Sequence, residues 1–511
     1  MLQCDIVLLI LDTQRADRLS CYGYPIELSP HLDAFSAEAT QFNYAIAPAQ
    51  WTLPTHASLF TGLYPPQHNM FQLNSVLPKS ILTLAERLQI GGYLTAGFSE
   101  NPLIGLANNG LQRGFNIFRY YRNGKRLYLF PKHSLHNQPD NYKTKLNYQL
   151  TRAIYSVRRL ADVMGEQQSK LRQFNFASKW SPSLNHNNSQ TLNDAARLLI
   201  KRPNIAANRP IFAVINLMGV HPPYNPPHWT LRRFVPTLLK HTQADEVIKR
   251  INMAMLQDYG WLGPFLNRSL DQQYLAILNG IYNAEVAAQD AQIGSFVQIL
   301  RQQGRLDSTL VIIVADHGDH LGEKQMLGHA SGVYNEIVRV PLLIRDPYNR
   351  LVRGSEVSRF VSTRFLFHTI LHAGDVATNE EYAFSLLCDR LNYPNDVFVE
   401  ARPVERMVHR LQHKYPDLEK IHQYDHICRA VFREKYKLIT NGIQQTELYN
   451  VLSDLKELHN LYANMPKHTD ALCQKLNTFV DQTQPIVNSA LVDNNEDAII
   501  VQHLRELGYL E

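Results

Sequence analysis

The chain has 511 residues, of which 45% are hydrophobic and 19% are charged, a composition typical of a soluble globular protein with a large core. Its net charge of +5 is small for this length, so anionic substrates are permitted but nucleic-acid binding is not indicated. The five cysteines are scattered without paired spacing, which disfavours a disulfide framework and a cysteine zinc site. No stretch approaches the roughly 18 apolar residues of a membrane helix, and no signal-peptide pattern is visible. We therefore predict a cytoplasmic protein without a transmembrane segment, for which peripheral membrane association stays open.

Two short apolar runs predict buried parallel strands that end in residues able to bind a metal. The run Asp5–Leu11 is followed by Asp12, and the run at 310–315 is followed by Asp316 and His317. Open α/β sheets place their ligands at the carboxyl ends of such strands. Carboxylates together with an imidazole suit a divalent cation, so these three side chains are candidate metal ligands.

The rest of the first 375 residues alternates between predicted helices and strands. In chain order, we predict a helix that starts at Ser29 and Pro30, helices over 55–61 and 81–90, strands over 93–98 and 211–218, and an amphipathic helix over 285–303. This alternation predicts an α/β fold with a large, mostly parallel sheet sandwiched by helices.

The pattern changes near residue 375, and we predict two domains. Residues 1–375 would form the α/β domain, with insertions at about 120–193 and 225–272. Residues 376–511 would form a smaller subdomain, in which the runs between 429 and 440 predict a β-hairpin of a short antiparallel sheet, followed by a helical tail. The first insertion is basic, which fits either a solvated helical cap or a face for an anionic substrate or a lipid surface.

Further polar residues follow strand ends or open helices. Thr52 precedes Pro54 at a predicted helix N-terminus, where backbone N–H groups favour an oxyanion, and a nearby cation would make its hydroxyl a nucleophile. His221 and His329 are candidates for proton donation to a leaving group, and Lys324 is a candidate cation for the substrate. Each has an ordinary structural alternative, such as a helix cap, a loop imidazole or a solvated charge. The set as a whole favours an active site.

The opening strand with Asp12, the run at 52–62 and the run at 316–323 followed by Gly328 and His329 form a specific set of motifs. This set resembles the sulfatase branch of the alkaline phosphatase superfamily over nearly the whole chain. The resemblance implies a large α/β domain with a small C-terminal sheet, and one divalent cation held by Asp12, Asp316 and His317. It also implies Thr52 as the nucleophile, with His221 and His329 as leaving-group or anion-binding residues.

Several positions differ from the pattern of that branch. Sulfatases oxidise a cysteine or serine at the position of Thr52 to formylglycine, but threonine would give a ketone, so no formylglycine is expected. His56 stands in place of the signature arginine, and Asn101 closes a segment where many sulfatases carry a lysine and a histidine. We retain His56, Asn101 and Lys324 as candidate substrate-binding residues.

The predicted cation site also differs from that of most sulfatases. Thr13 follows Asp12 where a second aspartate often stands, and His317 adds a nitrogen ligand. The expected ion therefore shifts from Ca²⁺ towards Mn²⁺ or Zn²⁺.

These features predict a metal-dependent hydrolase that cleaves phosphomonoesters, phosphodiesters or phosphonate monoesters through a covalent Thr52 intermediate. Water attack at phosphorus would regenerate the hydroxyl, whereas attack at the sulfur of an alkyl sulfate is a harder step. A sulfate-ester hydrolase using Thr52 directly, a phosphoryl transferase and a weakly active anion- or glycan-binding homologue stay open as alternatives. The expected substrate is an anionic small-molecule, lipid or glycan ester, and the C-terminal tail is compatible with a homo-oligomer.

Overall fold

The structure is a computed structural model that describes most, but not all, of the chain. The described residues are 3–122, 125–127, 188–203, 208–236, 247–252, 272–329, 331–388, 395–414, 425–442, 446–486, 490–491 and 504. Most of the insertion predicted at about 120–193, and much of that at 225–272, lies outside these residues.

The strands in this part of the chain are β1 (Asp5–Leu11), β2 (Thr40–Ile46), β3 (Ser75–Val76), β4 (Leu94–Ser99), β5 (Ile117–Arg122), β6 (Lys125–Leu127), β7 (Ile211–Leu217), β8 (Thr309–Ala315), β9 (His320–Leu321), β10 (Leu327–Gly328), β11 (Arg339–Val340), β12 (Leu342–Arg345), β13 (Glu356–Ser362), β14 (Asp396–Ala401), β15 (Cys428–Arg433), β16 (Tyr436–Asn441), β17 (Thr446–Asn450) and β18 (Ala490–Leu491). The α-helices are α1 (Pro30–Ser36), α2 (Thr52–Thr61), α3 (Pro65–His68), α4 (Leu84–Ile90), α5 (Pro102–Gly105), α6 (Ser189–Ile200), α7 (His228–Phe234), α8 (Gln272–Gln302), α9 (Asn335–Val338), α10 (Phe365–Ala373), α11 (Asn379–Tyr382), α12 (Glu405–Lys414) and α13 (Pro466–Gln482). Within the described helices, no segment combines the length and the hydropathy that a membrane span requires.

Ten of the described strands form one large sheet in the order β11-β2-β12-β8-β1-β7-β4-β5-β6, with β13 paired to β2. The central strands β8, β1, β7 and β4 are parallel, whereas β12 runs antiparallel to β8. Strands β1, β7 and β8 are rich in leucine, isoleucine and valine and are buried along their whole length. Such composition is expected of strands covered by helices on both faces. The predicted α/β fold with a mostly parallel sheet is confirmed.

The register of the three central strands places the site. Leu11 of β1 pairs with Ala315 of β8 and with Leu217 of β7, so all three strands end at the same level of the sheet. The residues that follow, Asp12 and Asp316, therefore emerge side by side at the carboxyl edge, where open α/β sheets bind their ligands.

Helix α1 starts where the sequence predicts, but its cap comes from elsewhere. Ser29 precedes Pro30, yet its side chain does not bond to the helix N-terminus. Instead, the Asp290 carboxylate of α8 accepts the N–H groups of His31 and Leu32, at 3.1 and 2.8 Å. The first N–H groups of α1, which have no partner within the helix, are therefore bound by a helix that is remote in the chain. This contact fixes α1 against α8.

The C-terminal part contains the antiparallel sheet β14-β15-β16-β17, in which β15 and β16 are the predicted hairpin. Helix α13 packs on this sheet, and Leu472, Leu476 and Phe479 are its buried apolar positions. The predicted helical tail is helical over α13, whereas β18 further on is a strand that pairs with β3 of the large domain. The boundary at 375 stays a prediction.

A buried ion pair joins this sheet to the α/β domain. Lys437 of β16 donates from Nζ to Glu457 Oε1 (2.6 Å) and to Asn335 Oδ1 of α9 (3.1 Å), and both charged side chains are fully buried. Glu457 Oε2 also accepts the Asn335 N–H at 2.8 Å. Because an unpaired buried charge is costly, this arrangement holds α9 firmly against the C-terminal sheet.

Glu285 of α8 makes the stability of the fold sensitive to pH. Its buried carboxyl accepts the Asn225 N–H at 2.6 Å, and burial raises its pKa from 4.5 to about 8. Since the folded pKa is the higher one, the stabilising contribution is complete below the unfolded pKa and is lost as the pH rises towards 8. We expect Glu285→Gln to raise the free energy of unfolding by several kcal/mol, on the order of 5 kcal/mol at most, at a pH of about 8.5. At a pH of about 4 the carboxyl is protonated in both the folded and the unfolded state, so the two proteins should have the same free energy of unfolding. Urea unfolding at both pH values measures this difference. An equal difference at both pH values would contradict the prediction.

Candidate metal centre and active site

Three buried side chains converge at the carboxyl edge of the central strands. The ligand atoms of Asp12, Asp316 and His317 all lie within 4.8 Å of one another. His317 Nε2 is 3.8 Å from Asp12 Oδ1 and 3.4 Å from Asp316 Oδ2. The structure thus brings together the three residues that the sequence indicates as metal ligands.

Hydrogen bonds set His317 in the form that binds a metal. Its Nδ1 is 2.9 Å from the carbonyl oxygen of Gly318, which can only accept, so Nδ1 carries the proton. The lone pair of Nε2 then faces the two carboxylates. A histidine ligand whose other nitrogen donates to a backbone carbonyl is the usual arrangement in metal sites.

The two carboxylates fit a cation. Asp12 Oδ1 and Asp316 Oδ2 are buried without a hydrogen-bond partner, an expensive state for ionised oxygens. Burial raises the pKa of Asp12 against the opposing effect of His56, and burial together with the charge of Asp12 raises the pKa of Asp316 well above its usual value. A divalent ion between these oxygens and His317 Nε2 would relieve both penalties, so the residues present fit the group that the fold implies.

The fold holds Asp316 and His317 in place from behind. Asp316 Oδ1 accepts the N–H groups of His317 (2.8 Å) and Thr13 (3.3 Å). The next residue, Gly318, packs so closely on α9 that a Cβ there would lie 2.0 Å from the Glu336 carbonyl oxygen. Glycine is required at this position because backbone approaches backbone.

Thr52 is the first residue of α2, a helix buried along its whole length. Its Oγ1 lies 3.4 Å from His317 Nε2, so the hydroxyl borders the cation site. The helix begins three residues earlier than the sequence pattern indicates, because Pro54 falls in the first turn, where a missing N–H costs nothing. Gly62 ends the helix in the left-handed conformation (φ 72°).

His56 lies one turn after Thr52 and is committed to other groups. Its Nδ1 donates to the Thr52 carbonyl (3.0 Å) and is 3.5 Å from Asp316 Oδ2, while Nε2 is 3.5 Å from Asn216 Nδ2. Burial lowers the pKa of His56, which favours the neutral ring. The ring is therefore in contact with groups that border the cation site, and its role in substrate binding stays a prediction.

Asn101 has a similar supporting position. Its Nδ2 donates to Asp12 Oδ2 at 2.8 Å, and its Oδ1 caps α5 by accepting the Leu103 N–H at 2.9 Å. The side chain therefore orients one of the candidate metal ligands.

Lys324 is engaged by the C-terminal subdomain. Its Nζ donates to the Lys456 carbonyl (2.9 Å) and to Glu336 Oε1 (3.4 Å), and it lies 4.5 Å above the Tyr334 ring. Within the described residues, none of these contacts is with the cation site.

Two histidines border the cation site. The His329 ring is 4.6 Å from the His317 ring and 5.2 Å from the His221 ring, measured between centroids. His329 Nδ1 is 3.2 Å from Asp319 Oδ1, whereas His221 Nδ1 donates to the Pro222 carbonyl. Burial lowers the pKa of His221 to about 3, so its ring is neutral. The two rings therefore differ in their contacts, because His329 Nδ1 faces a carboxylate and His221 Nδ1 faces a backbone carbonyl.

The sequence did not indicate Asp319 and Asn216 as site residues. Asp319 lies in the motif after Asp316, and its second oxygen accepts the Tyr224 hydroxyl at 3.3 Å. Asn216 is a polar residue inside an otherwise apolar buried strand, a signal that could have drawn attention to it. It accepts the Ser99 hydroxyl at 3.0 Å and faces His56, so it links two strands behind the site.

An α/β sheet with carboxylate and imidazole groups at the ends of two adjacent strands, and a hydroxyl at a neighbouring helix start, forms a candidate metal centre. The chain belongs to the sulfatase family, whose model, described as "Sulfatase", matches residues 5–376. It is a hydrolase of the alkaline phosphatase superfamily that acts on phosphoric or sulfuric ester bonds.

The similarity to individual proteins is distant. The ulvan-active sulfatase of Formosa agariphila is 23% identical over 380 residues, which are 73% of this chain and 62% of that protein, so the chain spans less than two thirds of this relative. The crystal structure of the phosphonate monoester hydrolase of Agrobacterium radiobacter has a TM-score of 0.65 at 20% identity, covering 94% of this chain and 96% of that chain. A protein in complex with its substrate D-glucosamine-2-N,6-O-disulfate gives a TM-score of 0.64 at 16% identity, covering 94% and 98%. At such identities the likeness shows a shared fold.

Proposed function

We propose that this protein hydrolyses phosphoric or phosphonic esters with Thr52 as a covalent nucleophile. The observation that carries the proposal is the position of Thr52 Oγ1, 3.4 Å from His317 Nε2, at the start of a buried helix. A hydroxyl placed at a helix N-terminus and next to a cation site is activated for attack, because both features favour negative charge on its oxygen.

The cation site would hold one divalent ion through Asp12, Asp316 and His317. A nitrogen ligand among few carboxylates favours Mn²⁺ or Zn²⁺ over Ca²⁺. When bound, such an ion lowers the energy of an alkoxide and of the charge on the transferred group.

The chain's own residues then account for the bonds that change. Thr52 gives its hydroxyl proton to solvent and its Oγ1 attacks phosphorus, so that a Thr–O–P bond forms while the bond from phosphorus to the leaving oxygen breaks. The leaving oxygen takes a proton from His329, whose Nδ1 stays bonded to Asp319. Water then gives one proton to His329 and attacks the same phosphorus. The Thr–O–P bond breaks and Thr52 Oγ1 takes a proton from solvent, so the hydroxyl is restored without any cofactor derived from Thr52, such as formylglycine.

A sulfate-ester hydrolase is the second candidate, and membership of the sulfatase family supports it. In that case Thr52 would attack sulfur directly, and water would have to cleave a threonyl sulfate. We favour the phosphorus esters because attack of water on their threonyl ester is the easier second step. The substrate class that we propose in either case is an anionic small-molecule, lipid or glycan ester.

The test is hydrolysis of four 4-nitrophenyl esters (phosphomonoester, phosphodiester, phosphonate monoester and sulfate) by metal-stripped protein resupplied with Mn²⁺, Zn²⁺ or Ca²⁺. We expect turnover of at least one phosphorus ester with Mn²⁺ or Zn²⁺, at a rate at least about 10-fold above that of the sulfate. Turnover of the sulfate alone would favour the second candidate. No turnover of any ester would contradict the proposed function.

A further inference from the structure

Strands β9 and β10 form a hairpin that ends directly before His329, the proposed proton donor. Gly328 pairs with His320, so the chain returns beside the start of β9 before it reaches His329. The Nδ1 atom of His329 then lies 3.2 Å from Oδ1 of Asp319, the residue that precedes β9. The position of the His329 ring therefore depends on the turn that joins the two strands.

The turn of this hairpin is built from residues that do not favour its conformation. Met326 N donates to the Glu323 carbonyl at 2.8 Å, which closes a turn with Lys324 and Gln325 at its centre. Both central residues are left-handed, with φ of 50° and 57°. Positive φ at both positions is the signature of a type I′ turn, which asparagine and glycine adopt readily and lysine and glutamine do not. Because the local sequence disfavours this turn, contacts with the rest of the fold must hold it.

The first strand of the hairpin is attached to the α/β domain. Asn279 of α8 donates from Nδ2 to the Leu321 carbonyl at 3.2 Å. Arg15 Nη1 donates to Glu323 Oε1 at 2.8 Å. Both contacts lie before the two left-handed residues, so they fix β9 and the start of the turn. The direction in which β10 returns depends on the turn itself.

Lys324 attaches the turn to the C-terminal subdomain. Its Nζ donates to the Lys456 carbonyl at 2.9 Å, in the segment that follows β17. The same atom donates to Glu336 Oε1 of α9 at 3.4 Å and lies 4.5 Å above the Tyr334 ring. These contacts restrain the side chain of one of the two left-handed residues, so they oppose the relaxation of the turn.

We infer that Lys324 is a positioning residue for His329, because it holds the left-handed turn and so makes proton donation to the leaving group depend on the C-terminal subdomain. This inference rests on the proposed function, in which His329 supplies that proton. The candidate metal ligands and Thr52 are attached to the central strands and to α2. Loss of the Lys324 contacts should therefore weaken the donation of the proton and leave the attack on phosphorus largely unchanged.

The experiment compares two esters that differ only in the leaving group, 4-nitrophenoxide or phenoxide, on the complete, metal-loaded protein. Both belong to the phosphorus ester class that the wild-type protein cleaves. Lys324→Met keeps an unbranched side chain but removes its ammonium group. Since phenoxide is the more basic leaving group, it depends more on the proton. We expect kcat/KM of the phenyl ester to fall by about 10-fold or more relative to that of the 4-nitrophenyl ester, and His329→Gln should change the ratio in the same direction.

Hydrogen exchange measured by mass spectrometry reports the state of the hairpin without turnover. Opening of the turn would expose the backbone amides of residues 320–328 to solvent. We expect these amides to exchange faster in Lys324→Met than in the wild-type protein, by about 10-fold or more, because the opened hairpin becomes more populated.

Two further variants separate the turn from a general effect of the lost charge. Lys324→Asn combined with Gln325→Gly supplies the residue pair that favours a type I′ turn, so it should restore the ratio of the two esters and the slow exchange without the ammonium group. Lys475→Met removes an ammonium group that lies 3.4 Å from Asp396 in the C-terminal subdomain, and it should leave both measurements unchanged.

The possible results distinguish this inference from the proposed function. Equal losses for the two esters in Lys324→Met, unchanged exchange of the hairpin, or no recovery in the double variant would each overturn the inference while leaving the proposed function intact. Absence of turnover by the wild-type protein would overturn both, because His329 would then have no leaving group to protonate.

Discussion

Replacing Thr52 by alanine is expected to remove turnover by a factor on the order of 10⁴ or more, for every ester that the wild-type protein cleaves. The reason is that Thr52 Oγ1 is the hydroxyl beside His317 Nε2 at the start of α2, and alanine has no atom with which to form the covalent intermediate. Steady-state rates measure the loss. Mass spectrometry of acid-quenched wild-type protein should show a phosphoryl group on Thr52 that is absent from the variant.

Two threonine variants of the same helix are the controls for this result. Thr52→Ser keeps the hydroxyl and should retain both turnover and the covalent adduct. Thr55→Ala removes a buried hydroxyl that donates to the backbone carbonyls of Trp51 and Thr52, so it should lower stability more than activity. Activity near the wild-type level in Thr52→Ala, with correct folding, would disprove the nucleophile assignment.

Metal affinity is expected to rise steeply with pH and to disappear in Asp316→Asn. Burial raises the pKa of Asp12 and of Asp316, so wherever the pH lies below the raised values an incoming cation must displace protons. Affinity should therefore increase by up to about 10-fold per pH unit for each proton released, until both carboxylates are ionised. Calorimetric titration of metal-free protein with Mn²⁺ and Zn²⁺ between pH values of about 6 and 8 measures this slope.

The raised pKa values of Asp12 and Asp316 also determine how the stability of the metal-free protein changes with pH. Because the folded pKa values are the higher ones, the two carboxylates stabilise the fold at low pH, and this contribution falls as the pH rises. The increase in melting temperature on metal addition should thus grow with pH. Asp319→Asn, which alters a buried carboxylate outside the three-residue cluster, should keep the metal affinity. Unchanged binding in Asp316→Asn would contradict the assignment of this ligand.

The sequence predicts the strands and their chemistry well, because both depend on local features. Uninterrupted runs of leucine, isoleucine and valine identify β1 and β8 to within one residue, and the residues after them carry the candidate ligands. The parallel register then brings Asp12 and Asp316 together without any further information. Thr52 is indicated by Pro54 two residues further on, although the helical pattern itself starts at residue 55.

The contact partners of His56, Asn101 and Lys324 could not be predicted in this way, because each partner is remote in the chain. Lys324 is bound by a carbonyl 132 residues further on, in the C-terminal subdomain. Asn101 reaches Asp12 across 89 residues, and His56 faces a strand residue 160 positions away. Residue type and spacing show that such side chains are polar, but not which partner satisfies them.

The candidate cation site and the proposed nucleophile are attached to different secondary-structure elements. Asp12 and Asp316 are fixed by strand register at the centre of the sheet, where any slip would displace both. Thr52 is the first residue of α2, a helix that borders the cation site. A substitution at position 52 would therefore exchange the proposed attacking group, and with it the chemistry of ester release, without moving the side chains of the candidate cation site.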